Sequence, residues 1–438
     1  MNKTEPKTLS GFMELYPNEQ VLFNSMKSII ESTYKSYGYF PLDTPVIEYS
    51  EVLLAKAGGE TEKQIYRFEK GDNDLSLRFD LTVPLAKYVA KRQNELVFPF
   101  KRYQIGKVFR GERPQKGRFR EFYQCDIDVI GDTELSLKYD SEIISIINDI
   151  FTKLNIGKFV IRINNRKILS GFFESLGLSD KVTDILRIVD KLEKIGEEEV
   201  KKELSNLGVN EKSQNSIISF MNIGGSAFEK LDVLKNYCNN ETFLSGVSEL
   251  ESVLEDLVLR RIPSTNYDVD LSIARGLDYY TGSVFETKLI DYPNIGSVCS
   301  GGRYDNLAEY YTDAHLPGVG ISIGLTRLFY QLVESNIIKV ENASSSDIMI
   351  IPMCEDYKYI YEVNNMLLSY GINTNICYLE KGFKQKMRYA DRMKNKYIVI
   401  IGEDEVNKKT IVLKNMIDGN QLELNINELE SIKNMIGD

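Results

Sequence analysis

The segment FYQCDIDVI at residues 122–130 constrains the fold most, because its side chains alternate in polarity along its length. A period of two predicts an antiparallel strand with one buried face. Residues 77–83, LRFDLTV, alternate in the same way and predict a second strand of this kind. Their polar faces suit either the floor of a polar site or a solvent-facing sheet. These faces would carry Gln124, Asp126 and Asp128 in one strand and Arg78, Asp80 and Thr82 in the other.

A strongly basic segment precedes strand 122–130. Residues 101–120 contain eight lysines or arginines and one acid, and Pro114 and Gly117 mark a loop within them. We therefore expect a hairpin with a basic loop at its end. Arginine binds phosphate oxygens in a bidentate manner and keeps its charge, so the loop suits a polyphosphate, although a solvated charged hairpin has the same composition. The arginines concerned are Arg110, Arg113, Arg118 and Arg120.

The remaining chain shows helical and strand-like blocks. Apolar residues recur at helical spacing in 18–37, and Gly38 follows where helices commonly end. Charged helical patterns fill residues 166–261, and strand-like sequence resumes at 267–289, so 166–261 is interpreted as an inserted helical domain. The flanking segments would form one domain, made of residues 1–165 and 262–340.

After a linker at 341–346, strands alternate with helices, which predicts a small α/β domain at 347–438 with a largely parallel sheet. Its segment KGFKQKMRYADRMKNK, residues 381–396, has seven basic residues and one acid on a predicted helix. In a chain of net charge −10, this helix suits either an RNA-binding surface or a solvated face. The candidate contacts are Lys384, Lys386, Arg388 and Arg392.

Composition excludes several functional classes. Five scattered cysteines without CxxC spacing indicate the reduced thiols of a cytoplasmic protein. The sole histidine, His315, lies in a predicted loop and leaves no set of histidines for a metal site. A bound metal would be a hard cation held by oxygens or by substrate phosphates. No segment approaches the ~20 apolar residues of a membrane helix, and the N-terminus is too polar for a signal peptide.

Residues 275–286, RGLDYYTGSVFE, hold an arginine, an acid and two tyrosines within six positions. Gly276 would let backbone or substrate approach closely. Since Tyr279 and Tyr280 are adjacent, a strand would turn them to opposite sides. The segment is therefore either a site or a salt-bridged turn with one core and one surface tyrosine. Arg327 follows the strand-like run GISIG at a predicted helix start, where it could contact a phosphate or stack on a purine.

Together these segments resemble class II aminoacyl-tRNA synthetases, and specifically the histidyl-tRNA synthetase family. The resemblance covers almost the whole chain. It implies an α+β fold, with an antiparallel catalytic sheet flanked by helices, a helical insertion and a C-terminal α/β anticodon-binding domain. It also implies a homodimer formed through the first class motif. The matching motifs are GYFPLDTPVIE (38–48), FRGE and GRFREFYQ within 109–124, GVGISIGLTRL (318–328), RGLDYYTGSVFE (275–286) and SGGRYDNL (300–307).

The resemblance implies that histidine and ATP form histidyl-adenylate, with Mg²⁺ on the pyrophosphate oxygens, and that the histidyl group passes to the 3′ end of tRNA(His). It assigns catalysis to Arg275 and Arg110, with Arg275 across the histidine carboxylate and the α-phosphate. Fixed positive charge there would stabilise in-line attack. The implied ATP contacts are Arg110 at the α-phosphate, Glu112 near the adenine or the tRNA acceptor end, Arg118 at the outer phosphates and Arg327 on the adenine.

The same resemblance assigns the histidine pocket. Asp80, Thr82 and Gln124 would hold the ammonium group, and Asp128 and Tyr280 would bond the imidazole nitrogens. The full set is Asp80, Leu81, Thr82, Gln124, Asp128, Arg275, Tyr279, Tyr280 and Tyr304.

Two features depart from the family pattern. The segment TLSGFMELYP, residues 8–17, stands where many members carry an Arg-Gly…Asp segment associated with reading the tRNA acceptor end. Asp80 and Asp128 stand where the common bacterial form carries glutamates. The acidic groups are kept, so the implied histidine pocket is retained, whereas the tRNA identity elements stay open.

Two other functions fit the same resemblance. One is a non-catalytic relative, such as the regulatory subunit of ATP phosphoribosyltransferase, which keeps the histidine pocket as a sensor. The other is an RNA-binding regulator that does not charge tRNA. The presence of Arg110, Glu112, Arg275 and Arg327, together with a C-terminal domain, favours the ligase.

Overall fold

The computed structural model describes residues 3–55, 60–113, 117–273, 280–305, 308–340, 344 and 346–436. The chain forms two compact units. The larger unit contains Met1–Glu14 and Ser25–Ile338, and the smaller unit contains Leu15–Asn24 and Lys339–Asp438. Within the described ranges, no helix is long and apolar enough to span a membrane.

The strands before residue 340 form a central sheet and a small side sheet. The central sheet has the order β1-β5-β6-β11-β10-β9-β7-β8, and the side sheet has the order β2-β4-β3. The strands are β1 (Phe40–Pro41), β2 (Ile47–Tyr49), β3 (Arg67–Lys70), β4 (Asn73–Leu77), β5 (Phe100–Phe109), β6 (Glu121–Ile130), β7 (Phe159–Asn165), β8 (Tyr267–Val269), β9 (Tyr280–Leu289), β10 (Ser297–Tyr304) and β11 (Gly318–Gly324).

The middle of the central sheet is antiparallel, and parallel pairs occur only at its described edges, between β1 and β5 and between β7 and β8. Strands β5 and β6 form the predicted hairpin, whose register runs from Phe100 opposite Ile130 to Phe109 opposite Glu121. The strand predicted for residues 122–130 is therefore confirmed. Because this hairpin lies inside the sheet, it holds its side chains in a fixed frame.

Helices cover this sheet and fill the region between β7 and β8, where the sequence predicted helical structure. Helices α6 and α11 pack closely there, since a Cβ at Gly171 would lie 2.3 Å from the Phe243 backbone nitrogen. Helix α8 is interrupted at Gly196. The helices are α1 (Pro17–Ser36), α2 (Ser50–Leu54), α3 (Glu60–Gln64), α4 (Thr82–Arg92), α5 (Lys138–Leu154), α6 (Arg166–Ser175), α7 (Val182–Val189), α8 (Leu192–Asn206), α9 (Glu211–Met221), α10 (Ala227–Lys235), α11 (Glu241–Leu259) and α12 (Leu325–Glu334).

The strand predicted over residues 77–83 is wrong. Strand β4 ends at Leu77 and helix α4 begins at Thr82. Asp80 Oδ1 accepts a hydrogen bond from the Val83 N–H at 3.0 Å, within the first turn of α4. Pro84 lies in the same turn, where its missing N–H is tolerated. Seven alternating residues do not distinguish a strand from a strand end followed by a capped helix.

Arg78 consequently leaves the polar face on which the alternation had placed it. Its side chain is buried, and it donates from Nε to the Lys107 carbonyl at 2.7 Å and from Nη1 to the Thr44 carbonyl at 2.6 Å. A Cβ at Gly106 would lie 2.5 Å from its Nη2 atom. Arg78 therefore holds β5 to the segment before β2, a structural role.

The smaller unit has a mixed sheet of order β13-β12-β14-β15-β16. Its pairs around β12 are parallel, but β15 and β16 are antiparallel, which corrects the expectation of a largely parallel sheet. A parallel crossover needs a dozen or more residues, and residues 402–409 are too few. The elements are β12 (Ile348–Pro352), α13 (Tyr357–Ser369), β13 (Thr374–Ile376), α14 (Phe383–Arg392), β14 (Tyr397–Ile401), α15 (Glu403–Lys408), β15 (Thr410–Asn415), β16 (Gln421–Asn425) and α16 (Ile432–Ile436).

Candidate active site

A cavity of about 580 Å³ lies on one face of the central sheet. Its floor comes from β6, β9, β10 and β11, and the turn before α4 and the β5–β6 loop contribute further side chains. Most of the residues implicated by the sequence meet here, although they come from distant parts of the chain. The predicted residues that line the cavity are Asp80, Thr82, Arg110, Glu112, Arg118, Gln124, Asp128, Tyr280, Tyr304 and Arg327.

A row of polar residues crosses the sheet, and its four inner members line the cavity. Strand register places one such residue on each of β5, β6, β11, β10, β9 and β7, so that neighbours in the row are direct cross-strand partners. Asp126 and Asp128 of β6 are only 3% and 5% exposed. The solvent-facing alternative for this strand is therefore wrong. The row consists of Gln104, Asp126, Ser322, Ser300, Glu286 and Arg162.

Asp128 is held in a fixed orientation. The Tyr304 hydroxyl donates to Asp128 Oδ1 at 2.9 Å, and Arg102 Nη2 lies 2.6 Å from Oδ2. Gly320 of β11 is the cross-strand partner of Asp128, and a Cβ at Gly320 would lie 2.2 Å from Asp128 Oδ1. Burial raises the pKa of Asp128 to about 6, against the opposing effects of Arg102 and Tyr304. Each carboxylate oxygen can accept a second hydrogen bond, so Asp128 can still receive a donor from the cavity.

Asp126 is a cavity residue to which the sequence analysis gave no role, although alternation placed it between Gln124 and Asp128. Its Oδ1 atom has no hydrogen-bond partner among the described residues. Burial raises the pKa of Asp126 to about 7, against the lowering effects of Arg102 and Ser322. Ser322 also accepts a hydrogen bond from Gln124 Nε2 at 2.8 Å. The sequence did contain a signal for this residue, because Asp126 is an acid two positions from Asp128 on the same strand face.

Asp126→Asn is expected to stabilise the protein at pH 8. Because burial raises the pKa of Asp126 to about 7, the folded state holds the proton more tightly than the unfolded chain. The carboxylate therefore destabilises the fold as pH rises from about 4 to 7, by up to about 4 kcal/mol. Calorimetry should show a Tm a few degrees above wild type at pH 8 and a gain that shrinks as pH falls towards 5. If Asp126→Asn and wild type have the same Tm at pH 8, Asp126 does not carry a destabilising charge in the folded protein.

Arg110 is fixed between two aromatic rings at the end of β5. Its Cζ atom lies 4.3 Å from the ring centroid of Phe79 and 5.1 Å from that of Phe122. Its Nε donates to the Phe79 carbonyl at 3.2 Å. Burial lowers the pKa of Arg110, while Asp80 and Glu112 oppose that shift, and an arginine keeps its charge under such conditions. The side chain therefore offers a preorganised cation to the cavity.

A second cationic part of the cavity lies near the basic loop. Arg118 Nη1 is 3.9 Å from Glu112 Oε2, and Arg120 Nε donates to the Glu112 carbonyl at 3.0 Å. Arg327, the third residue of α12, donates from Nη2 to the Ile295 carbonyl at 3.4 Å. The helix start predicted around this arginine is confirmed. Arg118, Arg327 and Glu112 all line the cavity, and the two guanidinium groups suit a polyphosphate.

The other predicted residues either do not line the cavity or fall outside the described residues. Leu81 is fully buried at the start of α4 and contributes to the core. Arg275 and Tyr279 fall outside the described residues, as do Gly276 and Asp278. In α14, Lys386 Nζ donates to the Pro352 carbonyl and is therefore engaged within its own unit. The exposed residues of the predicted RNA-binding set are Lys384, Arg388 and Arg392.

The part of the chain that the structure describes contains no cluster of three or more histidine, cysteine, aspartate or glutamate residues suited to a metal ion. The cysteines are free thiols, and Cys125, Cys299 and Cys377 are buried.

Comparisons with known proteins agree on one family. The sequence model "Histidyl-tRNA synthetase" matches residues 11–328, and "Anticodon binding domain" matches residues 347–433. Histidine–tRNA ligase of Clostridium tetani is 54% identical over 434 residues, which is 98% of each chain. That of Finegoldia magna is 47% identical over 97% of this chain and 98% of its own. The crystal structure of histidyl-tRNA synthetase from Nostoc sp. PCC 7120 has a TM-score of 0.92 and 41% identity, covering 99% of this chain and 100% of that one.

Proposed function

The chain belongs to the histidyl-tRNA synthetase family, and we infer that it is a histidine–tRNA ligase, which activates histidine with ATP and transfers the histidyl group to tRNA. The observation that carries this inference is the 54% identity to a named ligase over 98% of both chains. The α+β class II fold with a C-terminal anticodon-binding domain is confirmed. We propose that residues 1–165 and 262–340 form the catalytic domain, 166–261 an insertion and 347–438 the anticodon-binding domain.

We propose that the Asp128 end of the cavity holds histidine. An ionised Asp128, already in contact with Tyr304 and Arg102, would accept a hydrogen bond from the N–H of the imidazole. Tyr280 would form a hydrogen bond with the other imidazole nitrogen. Asp80, Thr82 and Gln124 would receive the ammonium group, and Tyr279 would complete the pocket. Such a site rejects apolar isosteres of histidine, because its buried polar groups would then lack partners.

The arginine-rich side of the cavity would bind ATP. Arg110 would contact the α-phosphate, Glu112 the adenine or the tRNA acceptor end, Arg118 the outer phosphates and Arg327 the adenine face. The substrate would be the Mg²⁺ complex of ATP. Arg275 would span the histidine carboxylate and the α-phosphate, where a fixed cation stabilises the charge of in-line attack. The leaving pyrophosphate would depart along the Arg118 side.

This geometry accounts for the first half-reaction without a protein general base. The carboxylate of histidine is already ionised at neutral pH and attacks the α-phosphorus as it stands. Arg110 supplies charge that is in place before the reaction, so no reorganisation is needed as negative charge shifts towards the pyrophosphate. The work of the protein is to bind, align and neutralise, which is the usual division of labour in phosphoryl-centre chemistry.

Two assays test the function. Purified protein should catalyse histidine-dependent exchange of pyrophosphate into ATP and should charge tRNA with histidine. Histidine binding without exchange would favour the histidine-sensing regulatory subunit, and tRNA binding without charging would favour an RNA-binding regulator. The match of residues 347–433 to an anticodon-binding domain disfavours the sensor, which usually lacks this domain.

We also propose that the protein is a cytoplasmic homodimer. Reduced, free cysteines suit a reducing compartment. The first class motif, residues 38–48, contains apolar side chains that are exposed in the single chain, among them Phe40 at 69% and Ile47 at 47%. Tyr49, which directly follows the motif, is 54% exposed. Exposed apolar side chains of this kind are typical of an interface between subunits. Sedimentation equilibrium gives the subunit number directly.

The exposed cations of α14 would contribute to tRNA binding. We expect Arg388→Glu/Arg392→Glu to lower kcat/KM for tRNA at least tenfold, because each reversal replaces an attraction to phosphate by a repulsion. Pyrophosphate exchange should stay at the wild-type rate. Lys408→Glu/Lys433→Glu, which makes the same charge change elsewhere in the smaller unit, is the matched control. Equal losses in exchange and charging would make α14 structural instead.

A further inference from the structure

Arg102 is a fully buried arginine beneath the proposed histidine pocket. It lies on β5 directly opposite Asp128 of β6, and its side chain is 0% exposed. Its Nη2 is 2.6 Å from Asp128 Oδ2 and donates to the Leu81 carbonyl at 3.4 Å. Its Nε and Nη1 atoms have no hydrogen-bond partner among the described residues. A permanent charge placed here needs an explanation, because burying one is costly unless it is compensated.

The compensation comes from acids of the same site. Asp126 and Asp128 share one face of β6, and Arg102 acts on both, lowering the pKa that burial raises in each of them. Without a cation, two neighbouring buried carboxylates do not both stay ionised, since each disfavours the charge of the other. Asp128 would then take up a proton and lose the charge with which it is proposed to receive the imidazole.

We propose that Arg102 is a positioning residue for histidine recognition, which orients Asp128 and keeps it ionised so that the pocket binds histidine at neutral pH. This proposal rests on the proposed function of the cavity. Arg102 does not line the cavity, so it acts through Asp128 and touches no substrate. The positive charge of Arg102 also explains how the floor of the pocket can carry two acids at adjacent positions of one strand face.

Other titratable groups of the described residues lie around the acid pair, and Glu286 lines the same cavity. Asp80, in the turn before α4, disfavours the ionised form of both acids, and Arg110, at the end of β5, interacts with Asp80 and Asp126. Burial raises the pKa of five further groups, so these five stay neutral across the pH range of an assay. They are Tyr34, Tyr39, Tyr304, Cys125 and Cys299.

The test is the pH dependence of kcat/KM for histidine, measured by pyrophosphate exchange in wild type and Arg102 variants. Arg102→Leu is expected to raise the histidine KM roughly a hundredfold at pH 7, since removing one partner of a buried pair leaves a lone charge. The acidic limb should move upward by at least about one pH unit, because Asp128 loses its counter-ion. The titration of free histidine is common to every variant and cancels in the comparison. The value of kcat at saturating histidine should fall much less than kcat/KM.

Two further variants separate this role from a loss of packing. Arg102→Lys keeps a charge but not the planar fork, and we expect roughly a tenfold rise in the histidine KM with a smaller shift of the limb. Arg102→Leu/Asp126→Asn removes one charge of each sign, and it should recover most of the affinity lost in Arg102→Leu. Arg78→Leu is the matched control. It removes another buried arginine of the same unit, and it should lower Tm without moving the acidic limb.

The outcomes distinguish the two proposals. If wild type shows no histidine-dependent exchange, the proposed function fails. If wild type is active and the acidic limb stays in place in both Arg102→Leu and Arg102→Lys, the role of Arg102 is wrong. The same conclusion follows if the double variant is no better than Arg102→Leu. Where Arg102→Leu does not accumulate as folded protein, Arg102→Lys against Arg78→Leu decides the matter.

Discussion

Arg110→Ala is expected to lower the rate of histidine-dependent pyrophosphate exchange roughly a thousandfold, the loss found when a preorganised donor to a developing charge is removed. The guanidinium is held 4.3 Å and 5.1 Å from the ring centroids of Phe79 and Phe122, so it needs no ordering when ATP binds. Single-turnover formation of the adenylate measures the effect directly. The loss should appear mainly in kcat, because the negative charge that Arg110 stabilises is largest in the transition state.

Two comparisons sharpen this result. Arg110→Lys keeps the charge but cannot make two parallel bonds to a phosphate, and we expect it to remain at least tenfold slower than wild type. Arg187→Ala removes an arginine of α7 that is 60% exposed, and it should leave exchange unchanged. If Arg110→Ala forms the adenylate within a few-fold of the wild-type rate, the cation at the α-phosphate is another residue.

The hairpin of β5 and β6 could be predicted from the sequence because two independent signals agreed. Strict alternation over 122–130 indicated a strand, and the proline and glycine of the basic loop marked where the chain reverses. Register then follows from the loop position, and it placed Gln124 and Asp128 on the cavity face. Local pattern and tertiary structure point to the same result here, as is typical of sequences that fold reliably.

Residues 78–82 show why the rest could not be predicted. The alternation continues past Leu77, yet the chain turns there and α4 begins at Thr82. The decisive contact is the hydrogen bond from the Val83 N–H to Asp80, and a side-chain cap leaves only a weak composition signal. Asp80 and Thr82 still line the cavity, but they reach it from a helix start instead of a strand face.

Burial was the other property that the pattern could not supply. A strand with polar residues on every second position looks the same whether that face meets water or a closed cavity. Arg102 illustrates the point, since an arginine in a basic segment is expected to be solvated, yet this one is fully buried against Asp128. Only the register across β5 and β6 shows that the two residues are partners.

Asp128→Asn is expected to raise the histidine KM roughly a hundredfold at pH 8, because a charged partner of the imidazole becomes a neutral amide and Arg102 loses its counter-ion. Burial raises the pKa of Asp128 to about 6, so the wild-type group is ionised at pH 8 and gains its proton as pH falls through 6. The difference between wild type and variant should therefore be largest above pH 7 and shrink below pH 6. Isothermal titration calorimetry with histidine measures this difference without catalysis.

Asp128→Glu separates the charge from the geometry of the site. It keeps the carboxylate but lengthens the side chain beside Gly320, where space is already so limited that a Cβ would lie 2.2 Å from Oδ1. We expect an affinity between those of wild type and Asp128→Asn, with the dependence on pH retained. If Asp128→Asn binds histidine as tightly as wild type at pH 8, the imidazole does not contact this carboxylate. If its deficit is the same at pH 5.5 and pH 8, the carboxylate acts through shape and not through charge, and the counter-ion role of Arg102 fails with it.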